Sequence, residues 1–464
     1  MQGAGPGFRG STTPGSGGGS LAVGAPSEDG RVITAEYTIP GLHVREHEVA
    51  VPLDWASPDG ERLTVFAREV VAPQRRNDDL PLMLFLQGGP GGKGPRPPDA
   101  SGWLGALLER YRLVLLDQRG TGRSSRIDGA RIARFDSGAA GADFLAHFRA
   151  DSIVRDAEHL RSTVFGGRRW ATIGQSYGGW LTLTYLSMAP EALTACLVTG
   201  GLASLHPSAA EVYRRTYPRA LAKNREYERR YPGDTATIGR IADLLEADDV
   251  RLPDGDRLSV RRLQFLGSGF GMGHGFEEVH WLLDEAFAGS GEGLSDTFLT
   301  QVQAETGFAD NPLWAVLQES IYGDPESGAT GWAADAEHAR HPEFATDARP
   351  LRFTGEMMFR WMLDEIRLLR PFAAAADALA EKTDWSPLFD RERLAANEVP
   401  VAAAVYFDDL YVDAGLQLET ARAVGNVQAW VTNEWEHDGI RDSGDRVVRR
   451  LLELIDEQGG PLPA

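Results

Sequence analysis

A serine hydroxyl attacks a carbonyl carbon only when a base removes its proton, and the base needs an acid to fix its tautomer. One stretch offers the serine: Gly174-Gln175-Ser176-Tyr177-Gly178, with Gly179 next, lies between the apolar runs "WATI" and "WLTLTYL". Glycine weakens strands and helices alike, so three of them around one serine need a reason. The G-x-S-x-G arrangement suits a sharp strand-to-helix turn that lifts the hydroxyl out of the backbone while small neighbours let strand and helix approach. An ordinary glycine-rich turn is the plain alternative, and five residues alone do not decide.

The rest of the constellation does. Elbows of this kind are followed first by an acid and later by a histidine. Of the ten histidines, His437 in "VTNEWEHDGI" is the one that follows the last expected strand. The acid belongs just after the strand "VAAAVYF", where Asp408 and Asp409 stand side by side. Asp409 is the first choice and Asp408 the alternate, since aspartate also ends strands for reasons of turn chemistry. An acyl-transfer site further needs backbone donors where the oxyanion forms. Tyr177, directly after the serine, supplies one N–H. The glycine-rich "LQGGPGG", residues 86–92, is placed to supply the other, from Gly89 or alternately Gly88.

These residues need a scaffold that brings strand ends together. "HVREHEVAVPLDW" and "ERLTVFAREVVAP" alternate with period two around the turn-forming "SPDG" and read as an antiparallel hairpin. "LPLMLFLQGG", "YRLVLLDQRG", "WATIGQS", "TACLVTGG", "VPVAAAVYFDD" and "VQAWVTNEW" are short apolar runs, the type buried on both faces of a parallel sheet. Helical stretches separate them; in "DSIVRDAEHLRSTVFG" one face carries Ile153, Val154, Ala157, Leu160 and Val164. The alternation predicts an α/β fold with a doubly wound, mostly parallel sheet, in which site residues sit at the carboxyl ends of strands. Residues 205–397 read instead as a large inserted helical cap. The expected organisation is thus a flexible Gly/Ser/Pro-rich tail over 1–30, a first part of the core over 31–204, the cap over 205–397 and a second part of the core over 398–464.

Composition narrows the class. The 464 residues, 42% hydrophobic and 25% charged, are those of a globular chain. A net charge of −20 argues against a nucleic-acid partner. No apolar run reaches the roughly 18–20 residues of a membrane span, and the N-terminus lacks a signal-peptide pattern, so a cytoplasmic enzyme without a membrane partner is expected. The single cysteine, Cys196, excludes an internal disulfide and reads as a small core residue of a strand. His338 and His341 in "HARH" have the spacing of a helical metal pair but no third ligand, so neither a metal nor a cofactor is expected.

Taken in order, "QGGPGG" followed by "GW", then "LLDQRGTGRSS", then "GQSYGGW", then the late Asp and His, resemble the prolyl aminopeptidase (proline iminopeptidase) family of α/β-hydrolase serine peptidases. The resemblance runs from about Val49 to the C-terminal helix. It implies an α/β-hydrolase fold, release of N-terminal proline from peptides with a free N-terminus, and acidic cap residues that hold the substrate's amine. Glu356, an acid among apolar neighbours in "FTGEMMF", is the first candidate for that role and Glu211 in "SAAEVYRRTY" the second. Phe353, Phe359, Trp361 and Tyr213 either wall a proline-sized pocket or form cap core. Two departures stand out: Gln87 replaces the histidine that usually opens the first motif, and Asp413 replaces the proline usual four residues after the acid. The competing readings are an esterase or amidase with the same triad, and a relative that binds a ligand without catalysis.

Overall fold

In the computed structural model, which describes residues 33–289, 291 and 293–463, nine strands form one sheet. The expected tail, 1–30, lies outside the described residues. In chain order the strands are β1 (Ile33–Ile39), β2 (Leu42–Pro52), β3 (Arg62–Val71), β4 (Leu82–Leu86), β5 (Arg112–Asp117), β6 (Trp170–Gln175), β7 (Leu193–Thr199), β8 (Val401–Tyr406) and β9 (Val427–Thr432). Their order across the sheet is β1-β2-β3-β5-β4-β6-β7-β8-β9. The pairs from β1 to β5 through β2 and β3 are antiparallel, and every later pair is parallel. The expected hairpin is the β2–β3 pair. β1, which the sequence reading leaves out, adds an edge strand to it and is largely exposed.

The short apolar strands are buried on both faces because helices cover both. Along β4, Leu82, Leu84 and Leu86 join one core while Met83 and Phe85 join the other. Helices Gly102–Leu108 and Arg446–Glu457 close the second face. Helices Ala150–Val164 and Tyr177–Met188 close the first, and all five residues of the apolar face read from the sequence are buried there. Cys196 is fully buried on β7, where desolvation pushes its thiol up to about 12.

Between β7 and β8 the chain leaves the sheet. Helix Ala209–Arg230 is the longest element of this segment, and shorter helices such as Gly275–Asp284, Asp296–Thr306 and Pro312–Leu317 follow it. Its apolar side chains, Tyr213, Tyr217 and Phe353 among them, are continuous with the core on the first face of the sheet. The segment therefore packs as part of one body.

Candidate active site

Ser176 sits where β6 turns into helix Tyr177–Met188, with φ +56° and ψ −123°. A side chain tolerates that region only under constraint, and the neighbouring glycines supply it. A Cβ on Gly174 would run into the Gly178 carbonyl, one on Gly178 into Leu86, and one on Gly179 into Gly201. The three glycines are thus explained by contact: strand, helix and β4 lie too close for side chains. Ser176 N–H donates to the Thr199 carbonyl of β7 (3.0 Å) and Gly179 N–H to the Ser176 carbonyl (2.7 Å), which pin the turn.

Asp409 and His437 follow β8 and β9. His437 Nδ1 lies 2.8 Å from Asp409 Oδ2, and both residues are buried. The other carboxylate oxygen, Oδ1, accepts from Tyr411 N–H (2.8 Å) and Val412 N–H (3.0 Å). A carboxylate accepts only, so Nδ1 carries the proton and Nε2 is left as the basic nitrogen. Asp408 is exposed and takes no part in this arrangement. Burial draws the His437 pKa down, but the charge and hydrogen bond of Asp409 outweigh it, with Glu356 and Asp438 adding to them. The net direction is upward.

Ser176 and His437 line one cavity of about 900 Å³, together with Gly88, Gly89 and Glu356. The chain at Gly88 passes beside the serine: a Cβ there would lie 2.9 Å from Ser176 Cβ and 3.5 Å from Oγ. Gly89 has φ +125°, open to glycine alone in practice. Tyr177 holds the first helical position, whose N–H has no acceptor within the helix.

The "LLDQRGTGRSS" motif proves to be what holds this loop, a role sequence reasoning does not supply. Gln118 Nε2 donates to the Gln87 carbonyl (2.7 Å), and Asp117 Oδ1 accepts from Gly94 N–H (3.0 Å), fixing both ends of the stretch that carries Gly88 and Gly89. Arg119, fully buried, makes a two-pronged pair with Asp156 (2.6 and 2.7 Å) and tethers three carbonyls. The inserted segment grips the same loop, with Asn311 Nδ2 donating to the Pro90 carbonyl (2.9 Å).

Glu356 reaches the cavity from the inserted segment. Its Oε1 accepts from Trp314 Nε1 (3.1 Å), and burial pushes its carboxyl up to about 7, against the opposing pull of His437 and the Trp314 hydrogen bond. In the sequence the capped start "NPLW" marks a helix and gives no signal that Trp314 reaches a site. Glu211 is a correction. It lies off this cavity and is already paired with Arg214 and with Arg215, whose Nε is 2.7 Å from Oε1. The four aromatic residues also lie off the cavity: Phe353 packs against Phe270 (5.3 Å), Phe359 stacks on Trp361, and Tyr213 is fully buried. They are core. His341 stacks on Tyr217 (4.6 Å), and His338 Nε2 lies 3.2 Å from the Phe344 carbonyl. Among the described residues no cluster of three or more His, Cys, Asp or Glu is placed to hold a metal.

The two departures acquire physical roles. Asp413 caps helix Ala414–Ala423 and receives Arg215 (3.0 Å) and Arg219 (2.8 Å) from the inserted segment. Arg219 also donates to the carbonyls of Phe407 and Asp409. An ion-pair staple thus holds the loop where a proline would stiffen it. Gln87 accepts weakly from Arg441 (3.4 Å).

A family model described as the alpha/beta hydrolase fold matches residues 81–243. The proline iminopeptidase of Aeromonas sobria is 45% identical over 420 residues, 90% of this chain and 98% of that one. Proline iminopeptidase aneH of Aspergillus aculeatus is 33% identical over 426 residues, 89% of this chain and 94% of that one. Among solved structures, a 2-hydroxy-6-oxo-6-phenylhexa-2,4-dienoate hydrolase from Rhodococcus aligns with 89% of this chain and 99% of that one at 15% identity and a TM-score of 0.44.

Proposed function

The chain belongs to the proline iminopeptidase family and has the α/β-hydrolase fold; from that premise we propose that it is a serine exopeptidase releasing one N-terminal residue, proline first, from peptides with a free N-terminus. The observation that carries this reading is Glu356. An acid stands in the same cavity as Ser176 and His437, where a carboxylate is costly to leave unpaired. A substrate ammonium offsets that cost.

In the proposed mechanism the Ser176 hydroxyl attacks the carbonyl of the N-terminal residue as its proton passes to His437 Nε2. Asp409 holds Nδ1–H and stabilises the imidazolium. The negative oxygen of the tetrahedral intermediate is received by the N–H groups of Gly89 and Tyr177. On collapse the C–N bond breaks, Nε2 gives its proton to the leaving amine, and the residue remains as an ester on Ser176. Water then attacks that ester with His437 again as base, releasing the free amino acid and restoring the serine. Glu356 holds the amine throughout. No metal or cofactor enters these steps. In cellular terms the proposal is a cytoplasmic enzyme; among the described residues no helix is long and apolar enough to cross a membrane.

The test compares proline naphthylamide, its N-blocked form and p-nitrophenyl acetate. The free-amine substrate should be cleaved and the N-blocked form spared, and Ser176→Ala should lower kcat by several orders of magnitude on both cleavable substrates. Equal cleavage of free and blocked amides would favour the esterase or amidase reading. Near-normal turnover by a well-folded Ser176→Ala protein would remove the mechanism.

A further inference from the structure

Arg441, an exposed residue, is a cation without an ion-pair partner among the described residues. It lines the cavity of Ser176 and also a side cleft of about 280 Å³ beside the 87–96 loop. Two other cations border that cleft, and both are neutralised: Lys93 by Asp310 and Arg96 by the fully buried Asp117. Among the described residues no carboxylate comes within 4.0 Å of the Arg441 guanidinium, and its one side-chain contact is the long hydrogen bond to Gln87 Oε1. Arg441 is an exposed residue, and such desolvation as it has lowers its pKa while Asp438 raises it. Nearby His274 faces Asp442 (3.2 Å), so that carboxylate is engaged elsewhere. A solvent-exposed guanidinium at the cavity of Ser176, without an ion-pair partner among the described residues, is open to a carboxylate.

Its place along the substrate follows from its neighbours. Gln87, which it touches, directly precedes the Gly88 that runs beside Ser176, while Glu356 enters from the inserted segment. The cavity is thus lined by five carboxylates, Glu356 with Glu278, Asp284, Glu285 and Glu305, and by one arginine, Arg441. We propose that Arg441 anchors the C-terminal carboxylate of a dipeptide substrate, so that the enzyme selects zwitterions with an ammonium and a carboxylate on either side of the scissile bond. The inference rests on the exopeptidase reading above and names its preferred substrate class.

The experiment measures kcat/KM for prolyl-glycine, prolyl-glycinamide and proline naphthylamide at low and high salt. Wild-type protein should prefer prolyl-glycine to its amide by about tenfold or more, the size of one charge-assisted hydrogen bond, and salt should shrink that ratio. Arg441→Gln should bring the ratio near one, and Arg441→Lys should keep part of it, because a point charge lacks the planar fork. If proline naphthylamide is cleaved but wild type treats the acid and the amide alike, or Arg441→Gln keeps the full preference, the anchor is overturned. Failure to cleave any prolyl substrate sinks the exopeptidase reading instead. Should Arg441→Gln not fold, the wild-type ratio and Arg441→Lys decide.

Discussion

The two sides of the cavity are built differently. Ser176, Asp409 and His437 stand at the ends of β6, β8 and β9, where the parallel ladder fixes each strand end against its neighbour. Glu356 stands in residues 351–359, which contain neither helix nor strand. Besides the bond from Thr354 N–H to the Gln264 carbonyl (2.9 Å), the backbone of that stretch finds partners in side chains. Asn224 both accepts from Phe353 N–H and donates to its carbonyl (2.8 Å each), and Gln264 Nε2 donates to the Arg352 carbonyl (2.9 Å). Buried backbone groups must be paired, and here two amides do what a ladder does for the sheet. The difference separates the proposed functions: Ser176, Asp409 and His437 on the sheet side are the groups proposed to break the bond, while Glu356 on the inserted side is the group proposed to hold the substrate's amine. Substitutions of Ser176, Asp409 or His437 should damage every reaction, and substitution of Glu356 only reactions of amines.

The largest effect should come from the sheet side. Asp409→Asn should lower kcat by about 10⁴ on proline naphthylamide and nearly as much on a small ester, because an amide that donates to Nδ1 holds His437 in the wrong tautomer. Asp408→Asn, at an exposed position outside the hydrogen-bond network, should change little. Steady-state kinetics of the two variants check this, and the reverse ranking would move the acid to Asp408.

This contrast also explains what the sequence reveals. The strand ends are legible because each is a short apolar run closed by a glycine or polar residue, and chain order then ties Ser176, the acid and His437 together. The choice between Asp408 and Asp409 needs the fold, because only the structure shows that one carboxylate is buried and the other exposed. β1 is missed although "ITAEYTI" alternates, since it is an exposed edge next to a Gly/Ser-rich stretch and buries little. Glu211 could have been set aside earlier: "EVYRR" puts Arg214 and Arg215 three and four residues on, the spacing that pairs charges along a helix. Trp314, Gln118 and Arg441 stay hidden for another reason. Each takes its meaning from a residue distant in sequence (Glu356 for the first, Gln87 for the other two), and local patterns hold no record of such pairs.

A smaller and more selective effect is expected from the inserted side. Glu356→Gln keeps size and hydrogen-bonding capacity but removes the charge. It should weaken kcat/KM for proline naphthylamide by about 2–4 kcal/mol, as for a desolvated charge pair that loses one partner, and leave turnover of a neutral ester at saturating substrate near wild type at alkaline pH. If both reactions fall together, Glu356 supports the structure and does not select the amine.

The smallest effect tests whether the two sides are electrically independent. Charge on Glu356 is among the causes that raise the His437 pKa, behind burial, which lowers it, and the two contributions of Asp409. Ester hydrolysis needs His437 unprotonated, so its rate falls as pH drops through the histidine's titration. Removing the Glu356 charge destabilises the imidazolium, so in Glu356→Gln the acid limb of the ester profile should move to lower pH. Because Glu356 itself titrates near 7, the two groups are coupled, and the wild-type limb should also be broader than that of the variant. Stability gives an independent check on the same charge. Glu356 in the folded protein is raised from 4.5 to about 7, so the folded state binds its proton more tightly than the unfolded chain does. That contribution is fully present below pH 4.5 and is lost as pH rises through 7. Glu356→Gln should therefore gain Tm relative to wild type at pH 8 compared with pH 5. If neither the acid limb nor the Tm difference moves with pH, Glu356 and His437 do not sense each other, and the inserted segment selects substrate without tuning the base.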